Sequence, residues 1–266
     1  MNEKPVTVND FKRMKKEGVP VTALTAYDCV FAALLDKAGI DLILVGDSLA
    51  NVFQGRKTTI PVTVEEMIYH AEIVARSVKR AFVVVDMPFM SFQVNPEEAL
   101  RNAGTMIKKT GCSAVKLEGG FPVTGTIRKI VDAGIPVLGH LGLTPQSVNV
   151  FGGYGVRGKD NGHEMIGEAQ AVEEAGAFAV VIEKIPRTLA KDISEKLTIP
   201  TIGIGAGPDC DGQILVTTDM LGLNPGFNPK FVRHYADLAV NALAGLQGYC
   251  DDVRLRKFPS ADESYE

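Results

Sequence analysis

The sequence predicts an α/β protein whose strands close into a (β/α)8 barrel, the TIM barrel fold. Short apolar runs alternate with segments at helical spacing, which is typical of parallel βαβ units with right-handed crossovers. Eight such runs fit within about 200 residues, as a closed barrel requires. The 266 residues, 45% of them hydrophobic, can bury one large core, so residues 1–266 are expected to form a single domain. An open, doubly wound sheet is the alternative fold.

The first half of the chain predicts an N-terminal helix followed by strand–helix units. The helix covers residues 6–16, where Val8, Phe11 and Met14 recur at helical spacing. The apolar runs that follow predict strands over residues 21–26, 41–48, 81–86 and 113–118. The next helices begin at capping signals, which are Asp28, Thr63 with Glu66, and Asn95 before Pro96. Residues 49–62 are expected to form an irregular loop.

The second half of the chain continues this alternation. Strands are expected over residues 135–140, 177–183, 199–204 and 213–217, and helices over residues 126–132, 163–174, 186–197 and 228–246. Residues 141–160 form a long loop. Residues 203–212 are too few for the crossover of a dozen or more residues that parallel strands usually need, so the seventh helix is expected to be shortened or missing. Residues 249–266 are expected to be a polar C-terminal tail.

Composition and charge argue against several classes of protein. The net charge is −4 and the basic residues are scattered, so no nucleic-acid-binding surface is predicted. The cysteines, Cys29, Cys112, Cys210 and Cys250, are far apart, which argues against a zinc site or a disulfide framework and fits a reducing cytoplasm. No apolar run reaches the roughly 18 residues of a membrane span, and the N-terminus lacks a signal-peptide pattern. A cytoplasmic protein with a small-molecule partner is expected.

Several predicted strands end on an ionisable residue. These residues are Asp47, Asp86, Glu118, His140 and Glu183. In a parallel barrel the strand ends face one mouth, and neighbouring strands lie only about 4.8 Å apart. The first three acids follow successive strands, and carboxylates so close repel one another unless a cation lies among them. We therefore expect Asp47, Asp86 and Glu118 to bind a hard cation such as Mg²⁺.

Other polar residues of this mouth are expected to bind substrate or to move a proton. Lys116 precedes Glu118 by two residues, so it shares its face inside the barrel and can hold a substrate carboxylate. The hydroxyl or N–H group of Ser48 can contact the same carboxylate. Glu183 stands apart from the three acids and is free to act as a general base. The expected substrate-binding residues are Asp47, Ser48, Asp86, Lys116 and His140.

These residues also have purely structural interpretations. An acid after a parallel strand often caps the next helix, although three acids on successive strands favour a shared site. Lys116 could simply neutralise Glu118. Hydrogen bonding within the fold explains His140 at least as well as proton transfer does. The glycines of Gly203-Ile-Gly-Ala-Gly207 fit either a phosphate site or a tight turn.

A series of short motifs runs through nearly the whole chain. The most specific are Ile43-Leu-Val-Gly-Asp-Ser48 and His140-Leu-Gly-Leu-Thr-Pro-Gln146. The others are Leu24-Thr-Ala-Tyr-Asp28, Pro61-Val-Thr63, Met67-Ile-Tyr-His70, Val115-Lys-Leu-Glu-Gly119, Gly152-Gly-Tyr154, Gly203-Ile-Gly-Ala-Gly207 and Asp211-Gly-Gln213. In identity and order, these motifs resemble those of the ketopantoate hydroxymethyltransferase family.

The resemblance implies a (β/α)8 barrel in a cytosolic homo-oligomer, typically a decamer, that acts in pantothenate synthesis. It also implies transfer of a one-carbon unit from 5,10-methylenetetrahydrofolate to 3-methyl-2-oxobutanoate, giving 2-dehydropantoate. Position by position, it makes Asp47, Asp86 and Glu118 the metal-associated acids, Ser48 and Lys116 the substrate-carboxylate contacts, and Glu183 the catalytic base. Ala50-Asn51 and residues 56–60 depart from the family's usual residues, which affects a loop at the mouth.

The residues and the resemblance indicate the same mechanism. Mg²⁺ chelated by the 2-oxo acid stabilises an enolate, which Glu183 generates and which attacks the methylene group carried by folate. A Mg²⁺-dependent lyase or mutase acting on a pyruvate- or phosphoenolpyruvate-like substrate is the nearest alternative. A barrel that binds a metal-chelated 2-oxo acid as a sensor, without catalysis, is the second.

Overall fold

The computed structural model describes residues 4–266 and confirms the closed barrel. In this part of the chain, eight parallel strands pair in sequence order, and the last pairs with the first to close the sheet. The strands are β1 (Val21–Thr25), β2 (Leu42–Val45), β3 (Phe82–Asp86), β4 (Ala114–Glu118), β5 (Val137–Gly142), β6 (Ala179–Glu183), β7 (Thr201–Ile204) and β8 (Gly212–Leu215). The open, doubly wound alternative is excluded.

The chain forms two compact units, Met1–Val216 and Thr217–Glu266, which are described separately. Besides the barrel strands, the first unit contains α1 (Val8–Glu17), α2 (Cys29–Ala38), α3 (Leu49–Val52), α4 (Val64–Ser77), α5 (Pro96–Thr110), α6 (Thr124–Asp132), α7 (Val148–Phe151), α8 (Gly162–Glu174) and α9 (Arg187–Lys196). The single-domain expectation includes residues 1–3, which lie outside the described residues, and it stays a prediction. Among residues 4–266, no helix has both the length and the hydrophobicity needed to cross a membrane.

The predicted capping signals start the helices as expected. The Asp28 carboxylate accepts hydrogen bonds from the N–H groups of Val30 and Phe31 at the start of α2. Thr63 and Glu66 form a capping box before α4, and the Asn95 side chain accepts from the Glu98 N–H group in α5. These contacts span two or three residues, so the sequence alone can specify them.

The seventh helix is missing, as predicted: in the described chain, β7 and β8 are joined without one. Asp211 stabilises the short link instead. Its carboxylate accepts hydrogen bonds from the N–H and hydroxyl groups of Thr201 and lies 2.6 Å from Lys15 Nζ on α1. Side-chain contacts therefore replace the crossover helix at this point.

Two predicted loops contain helical turns. Residues 49–62 include α3, so their assignment as irregular was wrong, and the long loop expected over residues 141–160 includes α7. A single turn spans too few residues to show an apolar period of 3.6. The fifth strand also continues past His140, because Leu141 and Gly142 pair with Ile182 and Glu183 of β6.

The second unit contains α10 (Thr217–Met220) and α11 (Leu238–Arg254). The prediction of a helix over residues 228–246 was wrong at both ends, and Thr217 belongs to a helix rather than to β8. Asn228-Pro229 initiates a turn, in which the Val232 N–H group donates to the Pro229 carbonyl. Because Asn-Pro signals both helix starts and turns, its sequence was ambiguous. Residues 249–254, expected in the polar tail, extend α11.

An aromatic cluster packs α1 against the N-terminal ends of the strands. Phe11 of α1 is fully buried, and its ring lies 5.2 Å from that of Phe82 and 5.4 Å from that of Phe178, measured between centroids. Apolar residues from the inner faces of several strands complete this cluster, including Leu42, Leu138 and Ile202.

Replacing Phe11 with alanine is expected to lower the free energy of unfolding by about 3–5 kcal/mol, since it leaves a cavity beneath the barrel. Urea unfolding followed by circular dichroism measures this loss. Lys12→Ala, at an exposed position of the same helix, is the matched control and is expected to change stability by less than about 0.5 kcal/mol. Equal effects of the two substitutions would contradict the assigned role of Phe11.

Candidate active site

The structure gathers the predicted polar residues at the C-terminal ends of β2 to β6. Asp86, Glu118 and Glu183 are the last residues of β3, β4 and β6, whereas Asp47 follows β2 by two residues. Strand register places Lys116 beside Asp86, and His140 beside Glu118. Except for Glu183, these ionisable side chains are almost completely buried. The expectation that the strand ends form one mouth is confirmed.

A tight turn brings β2 close to β3. Gly46 occupies this turn, and a Cβ atom there would lie 2.8 Å from Ser48 Oγ and 3.7 Å from Asp86 Oδ2. The small residue lets the Asp47 N–H group donate a hydrogen bond to Asp86 Oδ2 at 3.2 Å. The Ser48 hydroxyl lies 2.8 Å from the buried Tyr27 hydroxyl, so Tyr27 orients it. Sequence reasoning gave Tyr27 no role, although it lies within the Leu24–Asp28 motif.

Lys116 neutralises the acids of the mouth. Its Nζ atom lies 2.7 Å from Asp86 Oδ1 and 3.7 Å from Glu118 Oε1, so its closer partner is Asp86 and not Glu118, the partner in the purely structural interpretation. Burial opposes the charged form of this lysine, but the carboxylates of Asp86, Glu118 and Asp47 outweigh it and raise the Lys116 pKa. The ammonium group therefore stays charged inside the barrel.

Burial affects the three acids differently. Burial, together with the charges of Asp86 and Glu118, raises the pKa of Asp47 to about 8. Burial also raises the pKa of Asp86, even though Lys116 opposes this change. For Glu118, burial is outweighed by Lys116 and His140, which lower its pKa. With the protein groups alone, Asp47 thus retains a proton near neutral pH.

His140 connects this acid cluster to Glu183. Its Nδ1 atom lies 3.3 Å from Glu118 Oε1, and its Nε2 atom lies 3.3 Å from Glu183 Oε2. Burial and Lys116 favour neutral imidazole, but the close approach of the two glutamates and the charge of Glu118 raise the His140 pKa to about 9. The Glu183 side chain is 15% exposed, against 3% for Glu118, so Glu183 faces the space where a substrate would enter.

Gln146 is a buried contact that sequence reasoning did not assign to the site. It follows β5 in a short turn, Pro145–Ser147. Its amide Nε2 donates to Asp47 Oδ2, and its backbone N–H group donates to Glu118 Oε2, each at 3.0 Å. The residue lies in the motif that begins at His140, but only the fold shows that its two donors reach different strands.

The donor chemistry of the mouth fits a divalent cation. Asp86 Oδ1 and Glu118 Oε1 are buried and make no hydrogen bond of good geometry with the described residues. Hard cations such as Mg²⁺ prefer carboxylate oxygens of this kind. Among residues 4–266, however, no three His, Cys, Asp or Glu side chains converge at metal-binding geometry, and Lys116 supplies the positive charge. The expected Mg²⁺ site and the residue roles stay predictions.

Asp47→Asn is expected to stabilise the protein at pH 7 in the presence of a chelator. In the folded protein the Asp47 carboxyl holds its proton up to about pH 8, whereas in the unfolded chain it releases the proton near the ordinary aspartate pKa of 3.8. Wild-type stability therefore falls as pH rises between these values, and asparagine removes this contribution. We expect a gain of about 1–4 kcal/mol at pH 7, which shrinks toward pH 5.

Urea unfolding at several pH values measures this difference. Asp192→Asn, at an exposed position of α9, is the control and should retain the wild-type pH dependence. If Asp47→Asn shows the same slope as wild type between pH 5 and pH 7, the proton assigned to Asp47 is wrong.

Solved structures of similar fold are found among enzymes of small 2-oxo acids and related compounds. One is a phosphonopyruvate hydrolase in complex with oxalate and Mg²⁺, with a TM-score of 0.62 and 16% identity over 97% of this chain and 93% of that one. Another is a 2,3-dimethylmalate lyase of the PEP mutase/isocitrate lyase superfamily, with a TM-score of 0.60 and 17% identity over 94% and 98% of the two chains. At these identities the likeness shows the fold alone.

Sequence comparison extends the likeness to the family level. The model of a family described as ketopantoate hydroxymethyltransferase matches residues 5–261. The 3-methyl-2-oxobutanoate hydroxymethyltransferases of Chlorobium luteolum and Chlorobaculum parvum are 56% and 54% identical, each over 98% of this chain and 96% of theirs. That of Salinibacter ruber is 53% identical over 98% of this chain and 99% of its own. The chain is therefore an enzyme of the ketopantoate hydroxymethyltransferase family.

Proposed function

We propose that this enzyme transfers a hydroxymethyl group from 5,10-methylenetetrahydrofolate to 3-methyl-2-oxobutanoate and so forms 2-dehydropantoate for pantothenate synthesis. The observation that carries the proposal is the bridge from Glu118 through His140 to Glu183. It joins a buried, oxygen-rich cluster to a more exposed carboxylate at the same mouth. A reaction that removes a proton next to a keto group needs both parts. The names of the relatives support this choice of substrate.

The proposed substrate site uses Lys116 and Ser48 for the carboxylate of the 2-oxo acid. Lys116 stays charged, and it can exchange part of its contact with Asp86 for an incoming carboxylate. Tyr27 holds the Ser48 hydroxyl in place. Asp47, Asp86 and Glu118 would hold a divalent cation. When bound there, the cation would act as a Lewis acid toward the keto oxygen.

Glu183 is the proposed general base. Its carboxylate takes the proton from C3 of 3-methyl-2-oxobutanoate, and the electron pair of the broken C–H bond moves toward the keto oxygen. C3 then forms a bond to the folate methylene carbon as one of its two C–N bonds breaks, and the oxygen of a water molecule bonds to the same carbon as the second C–N bond breaks. The proton from C3 and one proton from the water pass to the two nitrogens, so tetrahydrofolate leaves. His140 lies 3.3 Å from Glu183, so its charged form can stabilise the carboxylate and hold it in position.

Glu183→Gln is expected to slow exchange of the C3 hydrogen into deuterated water by about 100- to 10,000-fold, because the variant lacks the base. Proton NMR of 3-methyl-2-oxobutanoate with Mg²⁺ measures this exchange without folate. Glu195→Gln is the matched control, since Glu195 is 65% exposed and pairs only with the nearby Lys191 among the described ion pairs. Wild-type exchange is also expected to stop when a chelator removes Mg²⁺. Unchanged exchange in Glu183→Gln or in chelator would contradict the mechanism.

A second assay separates this function from that of a lyase or mutase. The enzyme is expected to cleave 2-dehydropantoate only when tetrahydrofolate is present to accept the one-carbon unit. Cleavage at an equal rate without folate would favour the Mg²⁺-dependent lyase.

We also propose that the enzyme is a cytoplasmic homo-oligomer, with a decamer as the expected form. The supporting observation is an apolar stripe on α11, formed by Leu246, Tyr249 and Val253 with Leu243 beside it. These side chains are all exposed, and stripes of this kind are typical of subunit interfaces. The family resemblance supplies the expected number of subunits and the location.

Replacing Leu243 and Leu246 together with lysine is expected to shift the protein to smaller species in sedimentation velocity, because charged groups disfavour an apolar interface. Gln247→Lys, on the same exposed helix, is the control and should keep the wild-type sedimentation coefficient. A double variant that sediments like wild type would show that this stripe is not the interface.

A further inference from the structure

Gln146 makes hydrogen bonds through its backbone N–H group and through both the NH₂ group and the oxygen of its side-chain amide. Its side-chain Nε2 donates to Asp47 Oδ2 and to the Met87 carbonyl, both at 3.0 Å, and its backbone N–H group donates to Glu118 Oε2. Its Oε1 accepts from Gln93 Nε2 at 3.1 Å. The residue is only 4% exposed. One residue thus connects the ends of β2, β3 and β4 with the loop after β3.

The contacts allow only one orientation of the Gln146 amide. The Met87 carbonyl can only accept, so the atom that faces it must be the NH₂ group. At the other end, the Phe92 N–H group can only donate, and it donates to Gln93 Oε1 at 3.3 Å. This fixes Gln93 Nε2 as the donor to Gln146 Oε1. Two unambiguous backbone groups therefore determine the direction of the whole chain of amides.

Hydrogen bonds from fixed N–H groups determine which oxygen of each acid is left for another partner. Gln146 occupies Oδ2 of Asp47 and Oε2 of Glu118, and the Asp47 N–H group occupies Oδ2 of Asp86. Each acid thus uses one oxygen for a fixed N–H donor. The remaining oxygens of Asp86 and Glu118 are those that lie nearest the Lys116 ammonium group. The second oxygens of Asp47 and Glu118 are thus turned away from Gln146, whereas the second oxygen of Asp86 already contacts Lys116 at 2.7 Å.

We infer that Gln146 is a positioning residue that, oriented by Gln93, presents one oxygen of Asp47 and one of Glu118 to a bound divalent cation. The inference rests on the proposed function, which places the cation among these acids. Groups that orient metal ligands typically contribute about 10- to 100-fold in metal affinity. A contribution of that size is expected from Gln146, and a smaller one from Gln93, which acts only through Gln146.

The test measures Mn²⁺ binding by calorimetry and thermal unfolding in chelator for single variants of the full-length enzyme. Gln146→Met keeps the length of the side chain and the backbone N–H group but removes the amide, and it should raise the Kd for Mn²⁺ about 10- to 100-fold. Gln93→Met leaves Gln146 in place and should raise the Kd by a smaller factor. Gln54→Met is the matched control, because Gln54 donates to Glu66, which is not one of the three acids, and its Kd should equal that of wild type.

Two further variants separate failure of the inference from failure of the proposed function. Asp47→Asn and Glu118→Gln should both weaken Mn²⁺ binding. If they do, and both Gln146→Met and Gln93→Met bind Mn²⁺ like wild type, the positioning role is wrong although the metal site is right. If Asp47→Asn and Glu118→Gln bind like wild type, the metal site itself is wrong, and the inference is overturned with it. If Gln146→Met unfolds, the Kd of Gln93→Met decides: a raised value supports the inference, and a wild-type value overturns it.

Discussion

The mutual repulsion of buried carboxylates is the constraint on which the candidate active site depends. Asp47, Asp86 and Glu118 are held at one end of the barrel, where little water screens their charges. Lys116 offsets this repulsion. It lies beside Asp86 on the neighbouring strand, and its ammonium group contacts the Asp86 carboxylate. Removing either member of the buried Lys116–Asp86 pair would leave the other charge buried without its closest partner, so these two residues depend on one another.

The barrel meets this constraint with groups from several loops. Parallel strands bring the acids together, and the loops after β3 and β5 supply the amides of Gln93 and Gln146. The absence of a bulky side chain at Gly46 brings the Asp47 N–H group within reach of Asp86. On Glu118, the Gln146 N–H group thus occupies Oε2, whereas Lys116 and His140 both approach Oε1. The resulting site keeps several acids buried yet leaves Glu183 more exposed, which is consistent with the proposal that Glu183 is the base.

Much of the site could be predicted from sequence because each strand end carries its own signal. An apolar, β-branched run that stops at an acid indicates a buried strand end. The run that ends at Asp86 carries this signal without help from any other part of the sequence. Gln146 and Tyr27 carry no comparable signal, since a glutamine after a proline or a tyrosine in a motif fits many surroundings. The contact between Lys116 and Asp86 was not anticipated either, because spacing along β4 points only to Glu118, while register with β3 brings Asp86 closer.

Apolar periodicity and contacts between residues close in the chain were enough to predict the order of strands and helices, their caps, the missing seventh helix and the acids at the strand ends. Three features became visible only in the folded chain: which oxygen meets which donor, the link that His140 makes between Glu118 and Glu183, and the start of α11. Those outcomes depend on distances between segments far apart in sequence, such as the 99 residues from Asp47 to Gln146, and no local pattern encodes such a distance.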